Sequence, residues 1–362
     1  MARTVYTREE LLASVAYDEP LVAGGVRCHG GFVSGRYVSP RTAYREQAIS
    51  AWQEELRRRD LPLVDVPREF APPHYPNAEQ AKLLLREGVR DPIVRTLTTI
   101  AILEGFGAVI RDQKVPDWRR CVRESVEGTA FAHLGTGLFE AHARDEAGYR
   151  HEGGHKQMWE AARDLALEKP KIPHDVLLRL MTAPRRTDRR RLFAALDPAV
   201  EELVGTMASV FVIEVFAADT FRWAEEVLGD PEVSARPAEA AAMVGYIRTD
   251  ERPHVEYLRT ALSELRACTL VGERGEEIPG SEVVDALLAR TVRVLATERP
   301  RVQREETRKD IEAALGRHRT GADLVRKFRE LETDWSPPPE GAEVVRLVSP
   351  EEASGTSSLF GA

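Results

Sequence analysis

Cysteine pairs, long apolar runs and an excess of positive charge are all missing from this sequence. Its 362 residues include only three cysteines, Cys28, Cys121 and Cys268, and no two of them form a CxxC pair. We therefore expect neither a disulfide framework nor a zinc site built from thiolates. No uninterrupted apolar run approaches the roughly 20 residues of a membrane-spanning helix, and no signal peptide opens the chain. These observations favour a cytoplasmic protein with no membrane association.

The charge balance gives no reason to expect nucleic-acid binding. The formal net charge is −8, and 30% of the residues are charged. The dense basic run at 185–191 is short and is typical of a solvated helix end. Hydrophobic residues make up 43% of the chain, which is enough for a sizeable core. No flavin or nicotinamide fingerprint is visible, so the electrons for a redox reaction would have to come from another protein.

Hydrophobic periodicity predicts a mostly helical chain with no convincing strand. Residues 1–75 are rich in glycine and proline, and we expect them to be irregular apart from one helix at 40–59. Beyond residue 77 apolar residues recur at helical spacing, and helices are predicted at 78–87, 92–112, 118–132, 138–167, 175–181, 198–228, 237–268, 281–317 and 321–333. The segment that begins near Pro337 is predicted to be a flexible tail.

Two of these helices are apolar nearly all round, yet each carries one glutamate. Glu104 lies in the helix at 92–112 and Glu214 in the helix at 198–228. A helix with no polar face is buried, and a buried carboxylate needs an arginine partner or a metal. Small residues follow each glutamate at i+3 and i+4 on the same face, where they leave space for a metal, another helix or a substrate: Gly107, Ala108, Ala217 and Ala218.

The next long helix in each half carries an ExxH tetrapeptide. These are Glu152-Gly153-Gly154-His155 and Glu251-Arg252-Pro253-His254. Positions i and i+3 share one face of a helix, so each tetrapeptide can offer a carboxylate and an imidazole to one metal. Glu152 follows Glu104 at a longer interval than Glu251 follows Glu214, and the extra helix at 118–132 would account for the difference. The two halves therefore look like a duplicated helix pair.

Six side chains are then expected to converge on one metal site: Glu104, Glu152, His155, Glu214, Glu251 and His254. Four buried carboxylates without cations would repel one another and would be strongly desolvated. Two divalent ions with bridging oxygens remove that objection, and a set of carboxylates and imidazoles suits ions of borderline hardness. Asp250 is expected to cap or hydrogen-bond a ligand or an arginine. Gly153 and Gly154 join the small residues as candidates to line a substrate pocket.

This arrangement resembles the ferritin-like diiron carboxylate superfamily over roughly residues 92–266. The resemblance implies an all-α fold with a ferritin-like four-helix bundle core and extra N- and C-terminal helices. We divide the chain into an N-terminal extension at 1–91, the bundle at 92–270, C-terminal helices at 271–335 and the tail at 336–362. By the same resemblance, Glu152 and Glu251 would bridge the metals and Glu104 and Glu214 would be terminal ligands. His155 and His254 would each bind one iron.

The resemblance also implies a function. Members of this superfamily include non-haem diiron oxidases and oxygenases, which use two irons and O2 to oxidise small organic substrates. Hydroxylation, N-oxygenation, desaturation and oxidative cleavage all stay open, as do manganese in place of one iron and a homodimer. An external electron donor, a reductase or a ferredoxin, would be needed. Ile247 stands where arylamine N-oxygenases of the superfamily carry an additional histidine, which argues against that activity.

Two other interpretations stay open. His151-Glu152-Gly153-Gly154-His155 also spells HExxH, the zinc-protease motif in which two histidines bind zinc and the glutamate is the general base. The protease interpretation leaves Glu104, Glu214 and Glu251 without a role. If the site binds iron instead, His151 would be an extra iron ligand or would support the ligands. A metal-free helical interaction protein leaves the buried carboxylates unexplained. Pro253 is expected to kink its helix, and His142 is assigned to a helix surface.

Overall fold

The computed structural model describes residues 3–176, 178, 190–339, 341–349 and 352. This part of the chain is mostly helical, in agreement with the all-α class that the periodicity predicts. The helix predicted at 175–181 and the basic run at 185–191 lie largely outside the described residues.

A small antiparallel sheet in the N-terminal region shows that the expectation of no strand was wrong. Its strands are β1 (Glu19–Ala23), β2 (Val26–Val33) and β3 (Arg36–Val38), paired in the order β1-β2-β3. The β1–β2 turn contains Gly24 and Gly25, both with positive φ, a conformation that glycine adopts without steric cost. The strands are too short and too rich in glycine to show a clear alternating pattern.

Two further strand pairs lie outside this sheet. In one, β4 (Leu63–Asp65) pairs with β7 (Arg346–Val348), so a part of the predicted flexible tail is in fact tied to the N-terminal region. In the other, β5 (Thr269–Val271) pairs with β6 (Glu277–Pro279) in a hairpin that follows the helices of the site.

Where the sequence supplies helix caps, the predicted helices form close to the expected bounds. One short helix, α1 at Arg8–Leu11, was not predicted. The helices are α1 (Arg8–Leu11), α2 (Thr42–Arg58), α3 (Ala78–Arg86), α4 (Asp91–Gly107), α5 (Trp118–Cys121), α6 (Phe139–Ala147), α7 (His155–Leu167), α8 (Pro198–Leu228), α9 (Pro237–Asp250), α10 (Arg252–Arg266), α11 (Gly280–Arg293), α12 (Arg299–Gly316) and α13 (Gly321–Glu330). The side chain of Asp197 caps α8, and Pro198 takes its first position. Asn77 and Gln80 form a capping box on α3.

Four predicted helices are interrupted. The helix predicted at 281–317 forms α11 and α12, with a π-helical segment, Val294–Glu298, between them. The helix predicted at 138–167 is divided into α6 and α7 because Gly148, with φ +81°, ends α6. The helix predicted at 118–132 forms only α5 and a 3₁₀ turn at Phe131–His133. The helix predicted at 237–268 breaks at Glu251 into α9 and α10. That break is the kink expected from Pro253, which has no N–H to donate.

The helices pack around a buried layer of polar side chains. Helix α4 packs on α6 and α7, α7 packs on α9, and α8 packs on α9, α10 and α11. One apolar cluster contains Phe139, Phe211 and Leu258, and a second contains Trp159, Phe221 and Ile247. Helix α8 contributes to the first cluster up to Ala218 and to the second from Phe221 onward. The polar layer therefore lies between two apolar clusters.

Two of the core helices are long and apolar enough to cross a membrane, judged by length and composition alone. They span Asp91–Asp112 and Pro198–Leu228, and 39% and 56% of their most apolar windows are buried inside the protein. Core helices of soluble proteins meet the same criterion, so this observation is weak evidence for a membrane location.

Candidate metal centre

Seven side chains from the buried polar layer surround two adjacent points. Helix α4 supplies Glu104, α6 supplies His142 and Glu146, α7 begins at His155, α8 supplies Glu214, and the α9–α10 break supplies Glu251 and His254. In one group, ligand atoms of Glu104, Glu146, His155 and Glu251 all lie within 4.8 Å of one another. In the other, the same holds for His142, Glu146, Glu214 and His254. These buried groups could hold metal ions, and Glu146 belongs to both.

In the first group the ligand atoms approach one ring nitrogen without bonding to it. Nδ1 of His155 lies 2.9 Å from Oε1 of Glu251, 3.2 Å from Oε1 of Glu146 and 3.5 Å from Oε2 of Glu104. Neither ring nitrogen of His155 has a hydrogen bond within the described part of the chain. Ligands around a common cation point at the cation and not at one another, so their atoms lie close together without hydrogen bonds. The carboxylate oxygens around His155 have this arrangement.

In the second group two imidazoles lie face to face. The rings of His142 and His254 stack with centroids 3.9 Å apart and an interplanar angle of 4°. Nε2 of His142 lies 3.4 Å from Oε1 of Glu214 and 3.7 Å from Oε1 of Glu146. Nδ1 of His254 lies 3.4 Å from Oε1 of Glu146. Both rings therefore present one nitrogen to Glu146.

The protein holds the opposite nitrogen of each imidazole. The hydroxyl of Tyr257 lies 2.9 Å from Nδ1 of His142. Nε2 of His254 donates to Oδ2 of Asp145 at 2.9 Å. Supporting bonds of this kind fix the ring orientation and leave the other nitrogen free for a metal.

A proton or a metal is needed between His254 and Glu251. Burial and the neighbouring His142 lower the pKa of His254 to about 3, so the ring is neutral with its proton on the side of Asp145. Its Nδ1 is then an acceptor 2.6 Å from Oε2 of Glu251. Burial, followed by the charges of Glu214 and Glu146, raises the pKa of Glu251 well above its ordinary value, which allows the carboxyl group to donate. A bound cation would replace that proton.

Two aspartates support the site in a pseudo-symmetric way. Asp145 precedes Glu146, and Asp250 precedes Glu251. Asp145 accepts hydrogen bonds from Nε of Arg41 at 2.6 Å and Nη1 of Arg45 at 2.7 Å, in addition to His254. Burial alone would raise the pKa of Asp145, but the two guanidinium groups and His254 hold it well below its ordinary range. Asp145 is therefore an ionised support.

Asp250 supports the other half. Its Oδ2 accepts a hydrogen bond from the hydroxyl of Tyr37 at 2.8 Å, pairs with Nε2 of His29 at 3.1 Å and lies 3.6 Å from Nε2 of His155. His29, His155 and Asp250 are close enough to form a metal-binding group of their own. A cation among them is disfavoured because Nη2 of Arg41 lies 3.4 Å from Nδ1 of His29.

The structure brings together five of the six predicted ligands: Glu104, His155, Glu214, Glu251 and His254. It places Glu152 elsewhere, in the turn between α6 and α7, where the side chain is 40% exposed and lies 3.4 Å from the guanidinium of Arg27. His151, the extra ligand or zinc ligand of the alternatives, is exposed in the same turn and belongs to none of the groups formed by the described residues.

The predicted small residues have different surroundings. A Cβ on Gly107 would lie 2.7 Å from Cγ of Glu146, so this glycine makes room for a ligand side chain. Gly153 and Gly154 lie in the α6–α7 turn, and a Cβ on Gly154 would collide with the backbone of Asp145 and Gly148. The three alanines differ in burial: Ala108 and Ala218 belong to the apolar core and Ala217 is half-buried.

Sequence reasoning missed two members of the site, His142 and Glu146. The assignment of His142 to a helix surface was wrong, since only 1% of its surface is exposed. A signal for Glu146 was present: the doublets Asp145-Glu146 and Asp250-Glu251 repeat, one in each half of the chain. His142 lies one helical turn before Glu146 and therefore on the same face.

Comparisons with known proteins give no relative from which to transfer a function. No family model matches the chain, and neither the curated proteins nor the solved structures contain a significant match. The function is therefore inferred from the chemistry of the site.

Proposed function

We propose that this chain is a ferritin-like, non-haem diiron protein that activates O2 to oxidise a small organic substrate. The observation that carries the proposal is the pair of adjacent ligand groups that share carboxylates. Glu146 belongs to both groups, and Glu251 points Oε1 toward His155 and Oε2 toward His254. Sharing of this kind is what two bridged metal ions require.

The composition of the site favours iron or manganese. Four carboxylates and three imidazoles are a mixed oxygen and nitrogen set with no thiolate, which suits divalent ions of borderline hardness. Two divalent cations would balance the four carboxylates, which are otherwise costly to bury together. The proposed bridging ligands are Glu146 and Glu251, so Glu146 takes the place that the sequence motif gave to Glu152.

The chain's own residues would orient the metals and control access to them. When reduced, the iron pair would supply the O2 activation. Asp145 and Tyr257 hold the imidazoles of His254 and His142 in place, and burial of the polar layer between two apolar clusters excludes bulk water. Glu104 and Glu214 are the most exposed of the proposed ligands, with 17% and 11% of their side chains accessible. Substrate and O2 are therefore proposed to approach from their side.

Electrons would come from a separate reductase or ferredoxin, and a cytoplasmic location fits such a partner. The all-α bundle would then consist of α4, α6–α7, α8 and α9–α10, with the remaining helices packed outside it. Replacement of one iron by manganese and formation of a homodimer are compatible with this proposal.

O2 consumption tests the proposal. Iron-loaded protein reduced with dithionite, and freed of excess reductant, is expected to consume O2 in proportion to its iron. Glu251→Ala and Glu146→Ala should abolish this consumption, whereas the control Glu152→Ala should retain it. Zinc-dependent peptide hydrolysis that is lost in His151→Ala, without iron-dependent O2 consumption, would establish the protease interpretation instead.

A further inference from the structure

A cavity of about 540 Å³ lies on the side of the N-terminal sheet. Its walls come from the loop between α1 and β1, from β2, from the start of α2 and from the α6–α7 turn. None of the seven proposed metal ligands lines it, and its size is within the range of ordinary small-molecule sites. The apolar wall consists of Val15, Ala16, Pro20 and Pro40, and the charged or imidazole side chains are those of Arg27, His29, Arg41 and Glu152.

The guanidinium of Arg41 joins this cavity to both aspartates that support the candidate metal centre. Its Nε donates to Oδ1 of Asp145 at 2.6 Å, and Asp145 also accepts from His254. Its Nη2 lies 3.4 Å from Nδ1 of His29. Because a guanidinium can only donate, Nδ1 of His29 is the acceptor, and its Nε2 donates to Asp250. His29 is therefore neutral and separates Arg41 from Asp250.

One nitrogen of the same guanidinium has no partner. Nη1 of Arg41 makes no hydrogen bond to any described residue, although the side chain is only 7% exposed. Nη1 stays accessible to solvent, whereas the unpaired Nε of Arg45 is buried. Arg41 also has φ +56°, a left-handed conformation that is uncommon for a residue with a side chain. Strain of this kind is concentrated at functional sites. Arg41 thus has a donor to offer to a molecule in the cavity.

Positive charge exceeds negative charge by one around Arg41. Arg41 and Arg45 share a single carboxylate, that of Asp145. Arg27 and Glu152 lie 3.4 Å apart at the cavity, so their charges offset each other. A buried positive charge without a counter-charge of its own is costly. An anion in the cavity would supply that counter-charge.

We infer that the cavity binds a small organic monocarboxylate with an apolar body. The carboxylate would accept a charge-assisted hydrogen bond from Nη1 of Arg41 and lie near Arg27, while the body would cover the apolar wall. One excess positive charge suits a single carboxylate better than a dianion, because Glu152 would repel a second negative charge. This inference goes beyond the proposed function and holds with or without metals.

Isothermal titration calorimetry on the metal-free full chain tests the inference, because no metal can then bind the carboxylate. Benzoate is the probe, benzamide is its uncharged analogue, and inorganic phosphate is the dianion for comparison. Benzoate should bind saturably, and benzamide should bind more weakly by about tenfold or more, since it lacks the charge-assisted hydrogen bond. Equal affinities for benzoate and benzamide, tighter binding of phosphate, or no saturable binding of benzoate would overturn the inference.

Variants locate the binding. Val15→Asp places a negative charge on the cavity wall at a residue that is 37% exposed, and Arg41→Lys keeps the charge beside Asp145 but removes Nη1. Each should weaken benzoate binding by about tenfold or more. Val302→Asp is the control, because Val302 is 54% exposed on α12 and is not part of the cavity wall. Undiminished benzoate binding in Val15→Asp would contradict the inference, even if Arg41→Lys fails to fold.

Iron content, measured on the same variants, separates this inference from the proposed function. Val15→Asp should keep the iron content of the unmodified chain, because none of the proposed metal ligands lines the cavity. Benzoate binding by a chain that holds no iron would support the cavity and refute the diiron proposal. A chain that binds iron but not benzoate would have the reverse meaning.

Discussion

Substitution of Glu146 and of Glu152 distinguishes the candidate metal centre described above from the one that the sequence motif predicts. Glu146 is buried and belongs to both ligand groups, whereas Glu152 is 40% exposed beside Arg27. Glu146→Ala should therefore abolish binding of both metals. Glu152→Ala should leave binding intact, because it removes only a partly exposed ion pair.

The size of the effect follows from linkage between binding and folding. With free Fe(II) at 100 times its dissociation constant, binding stabilises the native state by about 2.7 kcal/mol. For a chain of 362 residues, whose unfolding entropy is about 0.76 kcal/mol/K, each occupied site then raises Tm by about 4 °C. Loss of the ion pair of Glu152, at 3.4 Å and partly solvated, should cost less than about 1 kcal/mol. The two variants should therefore differ mainly in their response to iron.

Differential scanning fluorimetry under anaerobic conditions, with and without Fe(II), measures this response. The unmodified chain and Glu152→Ala should both gain stability from iron, and Glu146→Ala should gain none. The metal-free Glu146→Ala protein should melt no lower than the metal-free unmodified chain, because the substitution removes a buried carboxylate that others repel. The reasoning is refuted if Glu152→Ala loses the iron response and Glu146→Ala keeps it.

Three other substitutions test the supports around the site. Asp145→Asn leaves Arg41 and Arg45 without their buried counter-charge, so urea unfolding of the metal-free protein should show a loss of about 3–5 kcal/mol. Gly148→Ala places a Cβ on a residue with φ +81°, where it would collide with the backbone of the following turn. This substitution should lower the free energy of unfolding by about 1–3 kcal/mol and should also reduce the iron content. Burial raises the pKa of Glu264 to about 8 from an ordinary value of 4.5. The native state therefore holds more protons between these values, and stability should fall as pH rises, by up to about 1.4 kcal/mol per pH unit. Glu264→Gln should flatten that fall in urea titrations between pH 5 and 8.

Each of these expectations has a result that contradicts it. An Asp145→Asn protein as stable as the unmodified chain would mean that the arginines find other partners. Full iron binding in Gly148→Ala would mean that the α6–α7 turn does not position His155. An unchanged pH slope in Glu264→Gln would mean that this carboxyl group is ionised in the folded protein.

The sequence was most informative where local signals agree with one another. The helix predicted at 198–228 has those bounds in the structure, because an aspartate cap and a proline begin it and Gly229 follows its end. Glu104 and Glu214 were recognisable as candidate ligands because each interrupts an otherwise apolar helix. Such features depend on residues within a few turns of each other.

The α6–α7 turn could not be predicted from local pattern. Its conformation depends on long-range pairing with β2, in which the N–H of Gly153 donates to the carbonyl of Arg27 and the N–H of His29 donates to the carbonyl of Gly153, both at 2.9 Å. The i, i+3 rule holds only on a helix, so Glu152 and His155 do not share a face here. The repeated Asp-Glu doublet was the better guide to the carboxylates that we propose as bridging ligands, Glu146 and Glu251.

Anomalous X-ray scattering at the iron edge, from crystals of iron-loaded protein, tests the central claim most directly. Two peaks about 3.5–4 Å apart are expected. One should lie within bonding distance of Glu104 and His155, and the other within bonding distance of His142, Glu214 and His254, with Glu146 and Glu251 between them. A single zinc peak beside His151, or no peak within the polar layer, would contradict the diiron assignment.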